Sequence, residues 1–134
     1  MLGSHYNIRG NTFCYEALAH VGPLVEYIYL GTLEKVLGEK SKCGKFQNFS
    51  TSEVSTIVNS NGSNFQLRDE EYRCVKIESG LYIYEGPSRP LIYAMGPNFI
   101  LLVLGSVCAD RSMATDDCLK AIQYGQKRLN GMKT

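Results

Sequence analysis

Between Glu71 and Ser106 the chain carries four short β-forming runs in succession, EYRCVKIES, GLYIYEG, RPLIYAMG and NFILLVLGS, and no other feature restricts its fold as much. Runs this close together pair as an antiparallel meander, and a sheet with apolar faces must be covered by helices. Phe99 to Leu104 is apolar on both faces, so it is the strand covered from both sides and therefore central. Tyr72, Cys74 and Lys76 alternate with Arg73, Val75 and Ile77, so one face carries a long polar side chain at its edge. Gly86-Pro87 and Gly96-Pro97 punctuate the runs as tight turns. None of the four holds an obvious catalytic group, which favours binding over chemistry.

Helical signals flank the meander. Ser50-Thr-Ser-Glu53 matches a capping box, in which the Ser hydroxyl and the Glu carboxylate each satisfy a backbone N–H at a helix start; Val54, Ile57 and Val58 supply its apolar stripe, and NSNGSN at 59–64 stops it. The closing helix is expected to begin near Ser112 to Thr115, with Asp116 and Asp117 in its first turn, Lys127 and Arg128 in its last and Gly131 as the stop. Cys118, Ala121, Ile122, Gly125 and Leu129 then fall on one arc facing the sheet, with Tyr124 at its margin. From Asn11 to about His20, Phe13, Cys14, Ala17 and Leu18 lie near helical spacing, ended by Val21-Gly22-Pro23. Leu24 to Leu30 and Thr32 to Gly38 read as a hairpin, followed by a basic stretch (Lys35, Lys40, Lys42, Lys45) read as a solvated loop. The expected class is α+β: a central antiparallel sheet, the N- and C-terminal helices on one face and the middle helix on the other. Residues 1–10, MLGSHYNIRG, lack periodicity and read as a flexible leader or cloning remnant; 11–134 form a single domain.

Composition narrows the function. Fourteen basic against thirteen acidic residues leave a net charge of +1, so nothing calls for nucleic acid as partner, and the longest apolar run is far too short to span a bilayer. Five cysteines without C-x-x-C spacing suit reduced thiols in a cytoplasm, filling the core as small hydrophobes. Two N-x-S matches, at Asn48 and Asn61, read as chance. His5 lies in the leader and His20 at a helix end, and there is no glycine-rich phosphate loop, nucleophile elbow or metal-ligand spacing. The chain is therefore expected not to be an enzyme and to hold no cofactor or metal.

Three passages carry a resemblance: Phe46-Gln-Asn-Phe-Ser-Thr-Ser-Glu-Val, then Tyr72-Arg-Cys-Val with Leu81-Tyr82, then Phe99 to Gly105 with Cys118 in the closing helix. Together, from roughly Asn11 to Gly131, they resemble a divergent member of the profilin family, archaeal profilins included. The resemblance implies a profilin-like sheet and a cytoplasmic, cytoskeleton-associated monomer that sequesters or delivers actin monomers. By position it implies an actin face of Arg73, Glu78, Asp110, Arg111, Ser112, Thr115, Asp116 and Lys120. It implies a polyproline groove at Phe13, Tyr15 and Tyr124, with weak or absent binding because the chain has no Trp. It also implies phosphoinositide contact at Lys40, Lys42 and Lys45.

The rival is a roadblock or longin-like scaffold that dimerises and holds a small GTPase, since such folds also place an antiparallel sheet between helices. They run three strands between the middle and final helices, whereas four are counted here, with Leu81 to Glu85 as the extra one. A ligand-sensing domain is disfavoured, because Leu, Ile and Val crowd the central strand and leave no convergent polar groups.

Overall fold

The strand that is apolar on both faces forms at Ile100–Gly105, is buried at all six positions and has a neighbour on each side. The computed structural model describes residues 12–14, 16–19, 22–42 and 46–132, the last four as backbone; the leader at 1–10, Tyr15, His20, Cys43 and Lys45 lie outside the described residues. Helical turns at 12–14 and 16–19, together α1, come first. Then follow β1 (Val25–Gly31), β2 (Val36–Ser41), α2 (Thr51–Asn59), β3 (Phe65–Leu67), β4 (Glu70–Glu78), β5 (Leu81–Glu85), β6 (Pro90–Met95), β7 (Ile100–Gly105) and α3 (Arg111–Met132). The seven strands form one sheet in the order β2-β1-β7-β6-β5-β4-β3, every neighbouring pair antiparallel.

Because side chains alternate along a strand, the sheet feeds two cores. Ile100, Leu102 and Leu104 join Tyr27, Tyr29, Leu91, Tyr93 and Tyr84 beneath Val54 and Ile57 of α2. Leu101 and Val103 join Ile28, Leu30, Ile92 and Ala94 against Phe13, Cys14 and Ala17 of α1 and Cys118, Ala121 and Ile122 of α3. The chain is thus an α+β protein whose antiparallel sheet has α1 and α3 on one face and α2 on the other.

Local chemistry accounts for the element ends. Ser50 Oγ accepts from Glu53 N–H at 3.1 Å while Ser50 N–H donates to Glu53 Oε1 at 3.0 Å, so the capping box forms as its sequence requires. The two Gly-Pro turns close alike, Gly86 N–H donating to Arg89 O at 2.9 Å and Gly96 N–H to Phe99 O at 2.8 Å. Two hairpins turn through pairs of left-handed residues, Arg68-Asp69 (φ 50° and 64°) and Ser79-Gly80 (φ 50° and 82°), the backbone sense that matches strand twist.

All four strands of the expected meander are present, with β3 as an addition ahead of them. Elsewhere the structure corrects the sequence reading. The second hairpin strand is Val36–Ser41, because Thr32 accepts the chain reversal: its N–H bonds Lys35 O at 2.8 Å and its hydroxyl accepts from Lys35 N–H at 3.0 Å. Lys40 therefore belongs to a strand. The alternation expected along β4 breaks at a bulge between Cys74 and Lys76, which turns Ile77 to the same face as Tyr72 and Cys74. α3 begins at Arg111, capped by Asp110, whose Oδ1 accepts from Met113 N–H at 3.0 Å. Asp116 and Asp117 lie in its second turn and Gly131 lies within it.

Candidate protein-binding face

α3 packs on β6, β7 and β1, so that among the described residues most of β5 and β4 on that face has no helical cover. The cause is sheet width. Seven strands at about 4.8 Å spacing span close to 30 Å, and a helix about 10 Å across covers two or three of them. The uncovered floor is Leu81 and Ile83, half-buried although both are large and apolar.

Register fixes what surrounds that floor. Across β4 and β5, Lys76 stands beside Ile83, Glu78 beside Leu81 and Arg73 beside Glu85, all on the α3 side. Lys76 Nζ and Glu78 Oε2 lie 3.1 Å apart with both side chains mostly exposed, an ion pair worth little in stability. On α3, rotation of about 100° per residue, with Cys118 set toward the sheet, puts Arg111, Thr115 and Leu119 on the flank nearest β5. The opposite flank meets β1 and α1: Asp117 is buried and its Oδ2 accepts from Leu24 N–H at 3.1 Å, and Arg128 Nη2 donates to Glu16 Oε2 at 2.7 Å. Arg111 also donates to the Pro87 carbonyl, tying the start of α3 to the β5–β6 turn.

The eight residues assigned from the sequence are therefore only partly brought together. Arg73 and Glu78 on β4 and Arg111 and Thr115 on α3 border one open face. Ser112 stands at its outer margin, Asp116 and Lys120 point away on the outer surface of α3, and Asp110 is engaged as the helix cap. Sequence reasoning missed Leu81, Ile83 and Lys76. The only signal for them was the half-apolar alternation of β5, which does not say how far a helix reaches across the sheet. An apolar floor bordered by charges of both signs has the anatomy of a protein-binding surface. Among the described residues no group of three or more His, Cys, Asp or Glu is placed to hold a metal. Burial pushes the Cys14 and Cys118 thiols up to about 12, so both are protonated filling for the core between α1, α3 and the sheet.

The other assigned clusters are described only in part. Phe13 is buried behind Gly125, Tyr124 is half-buried beneath the Arg128 guanidinium, and Tyr15 lies outside the described residues, so the described rings form no aromatic groove. Lys40 is exposed on β2, Lys42 donates its ammonium to the Pro23 carbonyl and Lys45 lies outside the described residues.

An antiparallel sheet layered between two helices and one, with an apolar stretch beside the closing helix, defines an α+β domain. No family model matches the chain, and no curated protein matches it. Among solved structures, one described as MglB with a tetrameric arrangement matches with a TM-score of 0.55 at 14% identity, over 90% of this chain and 90% of that one. The likeness is one of fold. It overturns the resemblance to profilins, and with it the actin monomer as partner, the polyproline and phosphoinositide readings drawn from that family, and the monomeric state. The passages that carried the resemblance are a helix cap, a strand near the sheet edge and a central strand. Any sheet covered on both faces needs those three, so they could not separate one such family from another.

Proposed function

We propose that this chain is a roadblock/longin-like scaffold that associates with copies of itself and holds a small GTPase, acting in the cytoplasm by binding and without catalytic groups of its own. The observation that carries the reading is the match of fold to MglB across nine-tenths of both chains, in a structure whose description is tetrameric.

The strand count needs an account, because that class runs three strands between the middle and last helices and this chain runs five. Sheet order supplies one. β3 and β4 are the last two strands at one edge, so removing them leaves β2-β1-β7-β6-β5 with the helices unchanged, and β5, β6 and β7 as the three. The added strands extend the sheet beyond the reach of α3 and give the GTPase a broader seat. Beyond residue 72, β4 has no outer strand partner among the described residues, and Val75 and Ile77 on that stretch are 56% and 53% exposed, apolar area that a second copy is suited to cover.

Two measurements test the reading separately. Light scattering over a concentration series is expected to give a dimer or larger, and a monomer at every concentration removes self-association. Capture of purified small GTPases from the source organism, loaded with GDP or a non-hydrolysable GTP analogue, is expected to show binding that depends on the nucleotide and weakens in Ile83→Asp. Retention of none of them removes the scaffold reading.

A further inference from the structure

On the opposite face of the sheet, a cleft of about 450 Å³ opens between the 46–50 segment, the β3–β4 turn and the start of β6. Buried Leu67 and Leu104 form its floor, Phe46 and Tyr72 its walls, and Val107, 64% exposed, stands at its mouth. Its size falls in the range of small-molecule sites, about 300–1,000 Å³.

Two guanidinium groups lie over the Phe46 ring, Arg68 at 5.2 Å and Arg89 at 5.7 Å from its centroid, and their situations differ. Arg68 is fully engaged. Its Nε and Nη2 grip both Glu53 carboxylate oxygens at 2.7 and 3.0 Å, and its Nη1 and Nη2 donate to the carbonyls of Gln47 and Asn48 at 2.7 and 3.1 Å. Arg89 has no such set. Its Nε is buried without an acceptor, and among the described residues no carboxylate lies within ion-pair distance of it. A guanidinium stays charged at any ordinary pH, so this donor cannot escape its cost by losing a proton.

The remaining polar lining sets the ligand's charge. Glu70 is held by the Tyr72 hydroxyl at 3.0 Å and the Ser88 hydroxyl at 3.2 Å, and Glu26 also lines the cleft. Beyond the one negative charge that the Arg89 guanidinium can pair directly, the Glu70 carboxylate opposes a second, which disfavours phosphate esters. The aromatic walls suit a flat or aliphatic body.

We infer that the cleft binds a small organic monocarboxylate, its carboxylate on Arg89 and its apolar body between Phe46 and Tyr72. The inference is independent of the scaffold reading, since it concerns the other face and needs neither a GTPase nor a second copy.

Titration of the full chain with 3-phenylpropionate, followed by calorimetry and amide NMR shifts, tests it. Saturable binding is expected, with shifts around residues 46, 72 and 89. The neutral 3-phenylpropanol, which loses the charge-assisted contact, and the doubly charged phenyl phosphate, whose second charge the lining carboxylate opposes, should each bind roughly tenfold or more weakly. Arg89→Gln should lose acid binding by a similar factor while its melting temperature holds or rises, because a buried Nε–H without an acceptor is gone; a purely structural role for Arg89 predicts the opposite. If that variant fails to fold, Arg89→Lys serves in its place, keeping the charge but not the planar fork, and should weaken the acid while leaving the alcohol unchanged. No saturation, equal binding of acid and alcohol, tighter binding of phenyl phosphate, or unchanged acid binding in the Arg89 variants overturns the inference.

Discussion

The two sides of the sheet solve the same covering problem with opposite materials. Beneath α2 the core is aromatic, with Tyr27, Tyr29, Phe49, Phe65, Tyr72, Tyr84 and Tyr93 all buried, and rings meet stacked or edge-on at centroid distances such as 4.9 Å for Phe65–Tyr84 and 4.7 Å for the half-buried Tyr82 on Tyr93. Beneath α1 and α3 it is aliphatic and small, with Cys14, Ala17, Ala94, Ala114, Cys118, Ala121 and Gly125. A helix of nine residues cannot cover a broad sheet by itself, so large rings spread from the strands to fill what α2 leaves open. A helix of 22 residues covers by length and lies close, which requires small side chains along its contact. One face gains area from its strands, the other from its helix.

The comparison is tested most severely at the strand the two faces share. Leu102→Asp on the α2 side and Val103→Asp on the α3 side each place a carboxylate at a position with no solvent exposure. Each is expected to cost more than about 4 kcal/mol, out of a total stability of about 5–15, and so to abolish cooperative unfolding by circular dichroism. A folded, cooperative product from either one would mean that its layer is dispensable.

Away from the shared strand the faces should fail differently. On the aromatic side the polar tips matter: the Tyr84 hydroxyl bonds Ser60 Oγ at 2.8 Å and accepts from Gly62 N–H at 2.9 Å, where Gly62 sits at φ +90°. Tyr84→Phe keeps the ring and strands that amide, an expected loss of about 1–2 kcal/mol in urea unfolding. On the small side, added volume does the harm. A Cβ on Gly125 would stand 2.3 Å from Leu101 Cδ2 and 3.2 Å from Phe13 Cζ, both buried. Gly125→Ala gains about 1 kcal/mol of helix propensity and loses about 1–3 to overpacking, so a net destabilisation near 1 kcal/mol is expected. A stabilised variant would show that α3 has room to shift and that the close approach is not required.

How much of this could be read from the chain follows the same division. The meander, the central strand and the α2 cap were legible because each rests on a local signal: β-branched and aromatic runs, apolar residues on both faces, Ser and Glu three apart. β3 was not, since three residues cannot display an alternation and its turn, Arg68-Asp69, lacks the glycine that usually marks left-handed backbone. The bulge at Val75 left no mark in composition, and it reassigned Ile77 to the other face. The start of α3 was misjudged because Asp110 caps as well as Ser112 would, and only tertiary packing of Asp117 on Leu24 fixes the frame. Of the binding face, the charged rim was partly legible and the floor was not, because the limit of helical cover is a property of sheet width.

The smallest expected effect lies where the aromatic layer meets its charged clasp. Arg68 bridges the α2 cap to the 46–50 segment through Glu53, and it is held by a left-handed backbone that few non-glycine residues adopt. Arg68, with the Ser50 cap beside it, holds the Glu53 carboxyl below its ordinary value of 4.5. A carboxyl whose folded value is lowered contributes stability that is complete above the unfolded value and lost as pH falls through the folded one. Both side chains are between a quarter and a third exposed, so screening limits the contribution to about 0.5–1 kcal/mol. Glu53→Gln should therefore be less stable than the parent by that amount at pH 7, and the gap should close between about pH 5 and pH 3 as the parent's carboxyl protonates. A Cβ at Gly125 meets Leu101 and Phe13, neither of which titrates, so Gly125→Ala should keep a constant gap from the parent over the same range. A Glu53→Gln gap that persists at pH 3 would assign the clasp to packing of Arg68 on Phe46 and Phe49, at 5.2 and 4.9 Å, rather than to its charge.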